Sequence, residues 1–493
     1  MLQPQVLNHT LCEQRFPQEF LIANDDLDYN RLHVWLAGTW SDFSVSVVNK
    51  EMTDPSRRSK TPWSLASLTR VTPNSLRWIS HFVVWGSFLI PAIMALVHGF
   101  LLNSDQVRNT IPSINVFSLH PPLVGPETTT QGTDGVILFD PGPMMYWILA
   151  IPVRIAPVAG QVIGAAIAGA VVLSIAIEAA WSQRQWFACL MIALASVDQL
   201  WKIPVTRTNL LWNAWFPIPF LMASMVLAWV VAWGSWCWMP VLVITASVAM
   251  QTHLINFVPC AALVVLAPIT ALVLTGRPTR WRWAWISLIV GLICWIAPLV
   301  QNFFGSHPNL SGLAHSGSGV PHNGFKLGFQ AGAAIFSWPP FFLRTTSGFF
   351  YPTMSGVFGH PLSLAFFEIG LLALIAVLAW RRSYLPLAAL SCVALVVVIG
   401  ESISFSVIPQ YNSISVGYVQ TVLWSASFLV WSVVVWAGTW VVALLWHRWL
   451  GSKDTLEKVK TIGAWVMTLG TVGLFIFAQV TMPELPSYLH MGS

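Results

Sequence analysis

The sequence predicts an all-α polytopic membrane protein of about eleven transmembrane helices with two sizeable outer loops. Of its 493 residues, 56% are hydrophobic and only 9% are charged. Apolar runs of about 17 to 25 residues recur along the chain, which is the length that crosses a bilayer core as a helix. Lys and Arg are concentrated in alternate loops between these runs, as in multi-pass membrane proteins.

Eleven apolar segments are the candidate spans, and roughly 10 to 13 helices are compatible with the pattern. Two segments, 186–200 and 237–250, are short enough to be re-entrant or tilted, whereas 418–446 is long enough to bend. The eleven segments are 78–101, 161–181, 186–200, 216–234, 237–250, 254–275, 281–300, 362–380, 384–402, 418–446 and 461–481.

The basic residues predict the orientation of the chain. With a cytoplasmic amino terminus, 18 of the 24 Lys and Arg residues lie on the inner side, and the short inner loops at 277–283 and 381–382 weigh most. The net charge of +5 therefore reflects orientation in the plasma membrane and gives no reason to expect a nucleic-acid partner. The loops at 102–143 and 301–361 then face outward.

Three regions follow along the chain. Residues 1–77 form a cytoplasmic segment, whose basic stretch at 57–60 is expected near anionic lipid headgroups. Residues 78–481 form the membrane domain, and 482–493 form a short outer tail. We find no phosphate-cradling Gly-rich loop, no nucleotide fingerprint and no metal-spaced Cys/His cluster. No metal or cofactor is therefore assigned, and a need for a divalent ion is left open.

The first outer loop concentrates four of the nineteen acidic residues. Asp105 lies four residues beyond the first predicted span, where partial desolvation favours a carboxyl pKa in the range of a general base. The alternative is a solvated helix end with Arg108 as its partner. Asp140 precedes an apolar segment, while Glu127 and Asp134 are assigned to ordinary loop solvation.

The run from Ser104 to Gly125, SDQVRNTIPSINVFSLHPPLVG, resembles the first outer loop of actinobacterial integral-membrane glycosyltransferases of the GT-C type. In that group an Asp follows the first helix, as Asp105 does here. A motif of the form H-x-P-L-x-G follows it and is similar to residues 120–125, HPPLVG. The group's H-P-G-P element resembles residues 140–143, DPGP.

Two later stretches are similar to further elements of the same group. Residues 246–259 contain its Q-T-H element at 251–253. Residues 295–313 resemble its W-x-P-P-L-x-x-Q…P-x-N-L element, matched here by Trp295, Pro298, Gln301, Asn302, Pro308, Asn309 and Leu310. The four elements occur in the group's order over residues 104 to 313.

The resemblance implies a GT-C-like bundle and inverting transfer of a sugar from a polyprenyl-phosphate donor to a cell-envelope glycan or glycolipid at the outer face. Asp105 would be the base that deprotonates the acceptor hydroxyl. The lipid-linked sugar is a substrate, and membrane lipids surround the protein. Contacts to the phosphate or the sugar are expected from Arg108, His120, Asp140, Arg154, Lys202, Arg207, His253, Gln301 and Asn302. For the arginines, snorkelling to the interface is the alternative.

Two other functions stay open at this point. One is a transporter or flippase for lipid-linked glycans, and the other is a catalytically inactive scaffold of the same fold. The sequence departs from the group at Thr110, where a second acid is common, and at Asp140, which replaces a His. Glu368 lies within a predicted span and is expected to face the bundle interior or a cavity, because a carboxyl group facing lipid is costly.

Overall fold

The computed structural model describes residues 73–102, 104–131, 136–202, 212–276, 281–316, 321–343, 357–410, 421–450 and 453–480. Apart from one hairpin, the regular structure in these residues is helical. The α-helices are α1 (Pro73–Val97), α2 (Ser104–Asn115), α3 (Met144–Ile155), α4 (Pro157–Ser182), α5 (Trp186–Lys202), α6 (Ile218–Ala232), α7 (Met239–Thr252), α8 (Phe257–Thr275), α9 (Trp281–Phe304), α10 (Asn309–His315), α11 (Gly324–Ile335), α12 (Leu362–Arg381), α13 (Leu385–Ser406), α14 (Thr421–Leu450) and α15 (Lys453–Val480). Short 3-10 turns occur at Trp236–Trp238, Leu254–Asn256 and Phe341–Leu343.

Seven of the described helices are long and apolar enough to cross a membrane, which fits a multi-pass membrane protein. The membrane-long segments are Asn74–Val97, Pro157–Ser182, Leu254–Thr275 (α8 with the 3-10 turn before it), Trp281–Phe304, Leu362–Arg381, Leu385–Ser406 and Thr421–Trp446. Each remaining expected span coincides with a shorter apolar helix: Trp186–Gln199, Ile218–Ala232, Trp236–Thr252 or Trp465–Val480. The total of about eleven spans and the GT-C arrangement remain predictions.

The loop at 102–143 contains regular secondary structure. It carries the helix α2 and a two-stranded antiparallel hairpin of β1 (Glu127–Gln131) and β2 (Ile137–Phe139). Thr128 Oγ1 donates to Leu138 O across the hairpin at 2.9 Å. The loop therefore presents a folded surface at one end of the bundle.

Helices α3 and α4 are separated by a sharp break at a single residue. Ala156 is extended, with φ −149° and ψ 101°, because the ring of Pro157 disfavours helical backbone in the residue before it. A Cβ on Gly160 would clash with the carbonyl of Pro152, so only a glycine permits the close return of the chain. The break keeps α3, which was not among the expected spans, beside α2 and α4.

Helix α13 lies at the centre of one half of the bundle and contacts α6, α8, α11, α12 and α14. Helix α11 approaches it closely because Gly328 and Gly332 face Ser402 and Ser406, where a Cβ would clash. Small residues four apart are the usual means of bringing two helix backbones together in a membrane. The carboxyl end of α13 lies at the same end of the bundle as the hairpin, because both line one cavity.

Candidate active site

One large cavity opens at the end of the bundle that carries the hairpin. Its volume is about 1190 Å³, above the roughly 300–1,000 Å³ of typical small-molecule sites. Its walls come from α2, the hairpin, the α7–α8 junction and the end of α13. Polar side chains around it include Arg108, Asn109, Glu127, Asp140, Tyr146, Asn213, His253, His315, His322 and Ser404. A concave space with a few convergent polar groups is the first candidate for substrate binding.

Asp140 connects three segments at the wall of this cavity. Its side chain accepts hydrogen bonds from Asn213 Nδ2 at 2.9 Å and from the N–H of Leu254 at 3.0 Å. Its own N–H donates to Pro126 O at 2.7 Å, and its carbonyl accepts from Gly125 N at 2.9 Å. With only 2% of the residue exposed, Asp140 holds the loop against both later segments.

The protonation of Asp140 follows from its surroundings. Burial raises its pKa to about 8, although the hydrogen bonds from Asn213 and Leu254 act in the opposite direction. The carboxyl group is therefore mostly neutral near pH 7. A perturbed carboxyl group in a cleft is a recognised pointer to a functional site.

Two glycines allow the segments around Asp140 to touch. Gly142 N donates to Gln251 O at 3.2 Å, and a Cβ on Gly142 would overlap the Gln251 side chain and lie 2.7 Å from Pro298. A Cβ on Gly125 would lie 2.9 Å from both Asp140 Cβ and Gln251 O. Larger residues at either glycine would push these segments apart.

A second set of amide contacts joins the end of α9 to the hairpin. Gln301 Nε2 donates to His307 O at 2.7 Å, and Gln301 Oε1 accepts from Asn309 N at 3.0 Å. The Asn309 side chain then pairs with the backbone of Phe139, accepting from its N–H and donating to its carbonyl, both at 2.9 Å. Gln301 thus supports the cavity wall through Asn309 and is not itself a lining residue.

Three further predicted site residues lie away from the cavity lining. Asn302 Oδ1 accepts from Ser311 N at 2.9 Å, so it holds the turn into α10. Arg154 is exposed at the far end of α3, with its guanidinium 5.8 Å from the ring centroid of Phe117. His120 is exposed in the loop after α2. We do not assign these residues to the cavity.

Arg108 does line the cavity, and it forms an ion pair there. Its Nη1 lies 3.3 Å from Glu127 Oε2, and both side chains are largely exposed. Exposed pairs of this kind contribute about 0–1 kcal/mol. The guanidinium can therefore exchange Glu127 for a phosphate at little cost, because Arg recognises phosphate oxygens in a bidentate geometry.

Three predicted residues fall partly or wholly outside the described part of the chain. Arg207 lies outside it, and the side chains of Lys202 in α5 and Asp105 in α2 are also outside it. The backbone position of Asp105 is described. It precedes Arg108 and Asn109 by three and four residues, which places the three positions on one face of α2.

His253 lines the cavity at the junction between α7 and α8. Its backbone is extended, with φ −154° and ψ 124°, and its side chain accepts from the N–H of Ile255 at 3.4 Å. Burial lowers its pKa to about 4, so the imidazole is neutral near pH 7. Among the described residues, no three His, Cys, Asp or Glu side chains are grouped to hold a metal ion.

Thr110, where the resembling group often has an acid, faces away from the cavity. Only 8% of the residue is exposed, and its Oγ1 donates to Gln161 Oε1 at 2.8 Å. Gln161 in turn donates to Gln106 O at 3.2 Å. A carboxylate at position 110 would meet the oxygen of this amide, so the threonine belongs to the α2–α4 contact.

Several cavity residues were missed by sequence reasoning. Asn213 supports Asp140, and the Tyr146 hydroxyl donates to Asn109 Oδ1 at 3.4 Å on the adjacent wall. The only sequence signal for Asn213 is a lone amide in the aromatic run WNAWFP, at 212–217, ahead of α6. Tyr146 and Asn109 carry no comparable signal, because their pairing depends on the packing of α2 against α3.

No family model matches this chain, and neither does any curated protein or any solved structure.

Proposed function

We propose that this chain is an integral-membrane glycosyltransferase that moves a sugar from a polyprenyl-phosphate donor to a cell-envelope glycan or glycolipid at the outer face. One observation carries the proposal. The four segments that resemble the GT-C group are joined to one another around a single cavity, through Gly125–Asp140, Gly142–Gln251, Asp140–Leu254 and Asn309–Phe139. Convergence of the four segments on one cavity is what a shared substrate site requires.

The charges of the cavity suit an anionic donor. Arg108 offers a guanidinium whose partner is Glu127, in an exposed ion pair. Asp140 and His253 are both neutral near pH 7, so neither repels a phosphate or adds charge that must be desolvated. We assign Arg108 to the donor phosphate, and we assign Asp140 to the fixed wall against which the substrate lies.

The proposed reaction is a single displacement at the anomeric carbon. The carboxylate of Asp105 takes the proton of the acceptor hydroxyl as its oxygen attacks that carbon. The bond between the anomeric carbon and the phosphate oxygen breaks, and its electron pair leaves with polyprenyl phosphate. Arg108 stabilises the negative charge that develops on the departing phosphate. The product has inverted configuration at the anomeric carbon.

One observation favours transport of a lipid-linked glycan as a second candidate. Glu368 and Glu401 are fully buried in the membrane-long helices α12 and α13. Acidic residues within membrane spans often mark pathways for ions or substrates. These residues belong to helices that also pack against each other, so a transport role would involve this half of the bundle.

A direct assay separates the two candidates. The purified chain, reconstituted in liposomes, would be given a panel of polyprenyl-phosphate pentoses and hexoses together with a glycan acceptor. Mass spectrometry would follow the release of polyprenyl phosphate, and a membrane-impermeant reagent would follow movement of intact donor across the bilayer. We expect release of polyprenyl phosphate from at least one donor. Movement of donor without cleavage, across the whole panel, would favour the transporter.

A further inference from the structure

Three buried side chains near the cavity have oxygen atoms without hydrogen-bond partners among the described residues, two of them in the last turns of α13 and one at the start of α8. Glu401 is fully buried, and neither of its carboxylate oxygens has a hydrogen-bond partner within the described part of the chain. Ser404, one turn further along α13, lines the cavity, and its Oγ is also buried without such a partner. Asn256, at the start of α8, is fully buried, and its Oδ1 also has no hydrogen-bond partner among the described residues.

The packing of the two helices brings these residues to one level. α13 ends at the cavity with Ser404, whereas α8 begins there with Val258, so the helices run in opposite directions. They are in close contact at Gly400, where a Cβ would lie 2.8 Å from the Cα of Pro259. Toward the cavity, Ser404 lies four residues beyond Gly400 on α13, and Asn256 lies three residues before Pro259. Ser404 and Asn256 are therefore at a similar height along the two antiparallel helices.

Glu401 lies one turn further from the cavity than Ser404 along α13. It is close enough to Cys260 of α8 for the two groups to interact electrostatically. The Asn256 amide nitrogen is occupied by His253 O at 3.4 Å, which leaves its carbonyl oxygen as the unused end. The group therefore contributes up to four oxygen acceptors: two from Glu401, one from Ser404 and one from Asn256.

The charge of Glu401 has no basic partner nearby among the described residues. α6 and α8 contain no Lys or Arg. Lys326 of α11 is exposed, and Arg381 is in the last turn of α12, which connects directly to the distant start of α13. α14 also packs against α13, and its basic residues, His447 and Arg448, are confined to its last turn. By contrast, Glu178 in the span of α4 is paired with Arg77 and His81. The desolvation free energy of an isolated buried carboxylate is larger than the stabilisation that packing provides. A proton or a cation must therefore neutralise Glu401.

We propose that Glu401, Ser404 and Asn256 bind a small hard monovalent cation, of which Na⁺ is the probe, beneath the cavity floor. A proton on Glu401 would satisfy one acceptor, whereas a cation is coordinated by all of them, and hard cations prefer oxygen ligands. One carboxylate balances one positive charge, so the filled site is neutral in the low-dielectric interior. The site does not depend on sugar transfer.

Carbodiimide labelling tests this proposal with an internal control. Dicyclohexylcarbodiimide modifies protonated carboxyl groups in apolar surroundings, and Glu368 is a second fully buried carboxyl without a partner among the described residues. The full chain in detergent would be labelled in choline chloride or NaCl at equal ionic strength and analysed by peptide mass spectrometry. We expect Na⁺ to slow labelling of Glu401 about tenfold at about ten times its dissociation constant, with no change at Glu368.

Equal rates in the two salts at Glu401, or equal slowing at both residues, would overturn the proposal. Protection of Glu401 by Mg²⁺ or Ca²⁺ but not by Na⁺ would overturn the monovalent assignment.

Melting temperatures provide a second measurement if Glu401 proves unreactive. We expect Na⁺ to raise the melting temperature of the wild type and of Glu368→Gln but not that of Glu401→Gln. A Na⁺ shift that persists in Glu401→Gln would contradict the site.

Discussion

The carboxyl group of Asp140 accepts a hydrogen bond from Asn213 Nδ2 at 2.9 Å, joining the end of the hairpin to the segment ahead of α6. Burial raises the pKa of Asp140 from 3.8 to about 8. Between those two values the folded protein holds a proton that the unfolded chain has released. Stability from this group is therefore fully present below about pH 4 and is lost as the pH rises through about 8.

We expect the apparent melting temperature of the wild-type chain to fall between about pH 6.5 and pH 8, and we expect Asp140→Asn to remove much of that slope. Below about pH 6.5 His253 acts in the opposite direction, because burial lowers its pKa from 6.5 to about 4. Asparagine fills the same space as Asp140 and does not titrate. Its amide can still accept from Leu254 N, while a turned Asn213 amide offers its oxygen to the new donor. Differential scanning fluorimetry over a pH series measures both slopes. Identical slopes in the two proteins would show that Asp140 does not titrate in this window.

We expect Gly142→Ala to destabilise the chain by about 1–3 kcal/mol, because the added Cβ overlaps Gln251 and approaches Pro298 in a packed region. Gly370→Ala is the matched control, since a Cβ at Gly370 in α12 meets nothing within 4 Å and alanine favours a helix. Melting temperatures of the two variants give the comparison. Equal melting temperatures would contradict the close contact between the DPGP and QTH segments.

A comparison of Asn309 with Asn302 tests whether the pairing of the Asn309 side chain with the Phe139 backbone holds the hairpin. Asn309→Asp replaces the donor to Phe139 O by an acceptor, so two oxygens face each other at a buried site, at a cost of about 1–3 kcal/mol. Asn302→Asp keeps the only role seen for that side chain, accepting from Ser311 N. We expect a clear loss of melting temperature in the first variant and little change in the second. The reverse order would show that the hairpin is not held by Asn309.

A comparison of Arg108 with Arg154 tests whether the donor phosphate binds in the cavity. If Arg108 binds the donor phosphate, Arg108→Gln should weaken binding of polyprenyl phosphate about 10- to 100-fold, because hydrogen bonds to charged groups contribute about 1.5–3 kcal/mol. Arg154→Gln, away from the cavity lining, should bind nearly as the wild type does. Titration of a fluorescent short-chain polyprenyl phosphate measures both. Equal losses in the two variants would indicate a general surface-charge effect.

The positions of the apolar helices could be predicted from sequence because hydropathy is a local property. All eleven expected spans coincide with described apolar helices. The position of Arg154 away from the cavity could not be predicted, because it depends on the helix α3. That helix begins close to Asp140 and carries Arg154 roughly 15 Å away along its axis. The amides of Gln301 and Asn302 suggested sugar contacts, but their partners are backbone groups six to nine residues ahead, brought close by the turn into α10.

The convergence of the resembling segments could be expected only in outline. Their order suggested a shared site, yet the partners of Asp140 and Asn309 in the other segments are backbone groups, and further contacts depend on two glycines and the unremarked Asn213. Such contacts carry no residue-type signature, since any residue offers an N–H and a carbonyl. The polar group around Glu401 was missed for a similar reason, because its oxygens come from helices more than a hundred residues apart.

The most direct test of the proposed function is the initial rate of sugar transfer by Asp105→Asn, compared with the wild type and with Asp134→Asn, a neighbouring acid assigned to loop solvation. All three proteins would be matched for membrane insertion and for binding of polyprenyl phosphate. Loss of a general base should lower the rate about 10²- to 10⁴-fold in Asp105→Asn and leave Asp134→Asn near the wild-type rate. Near-wild-type turnover by Asp105→Asn would contradict the proposed role of Asp105 as the base.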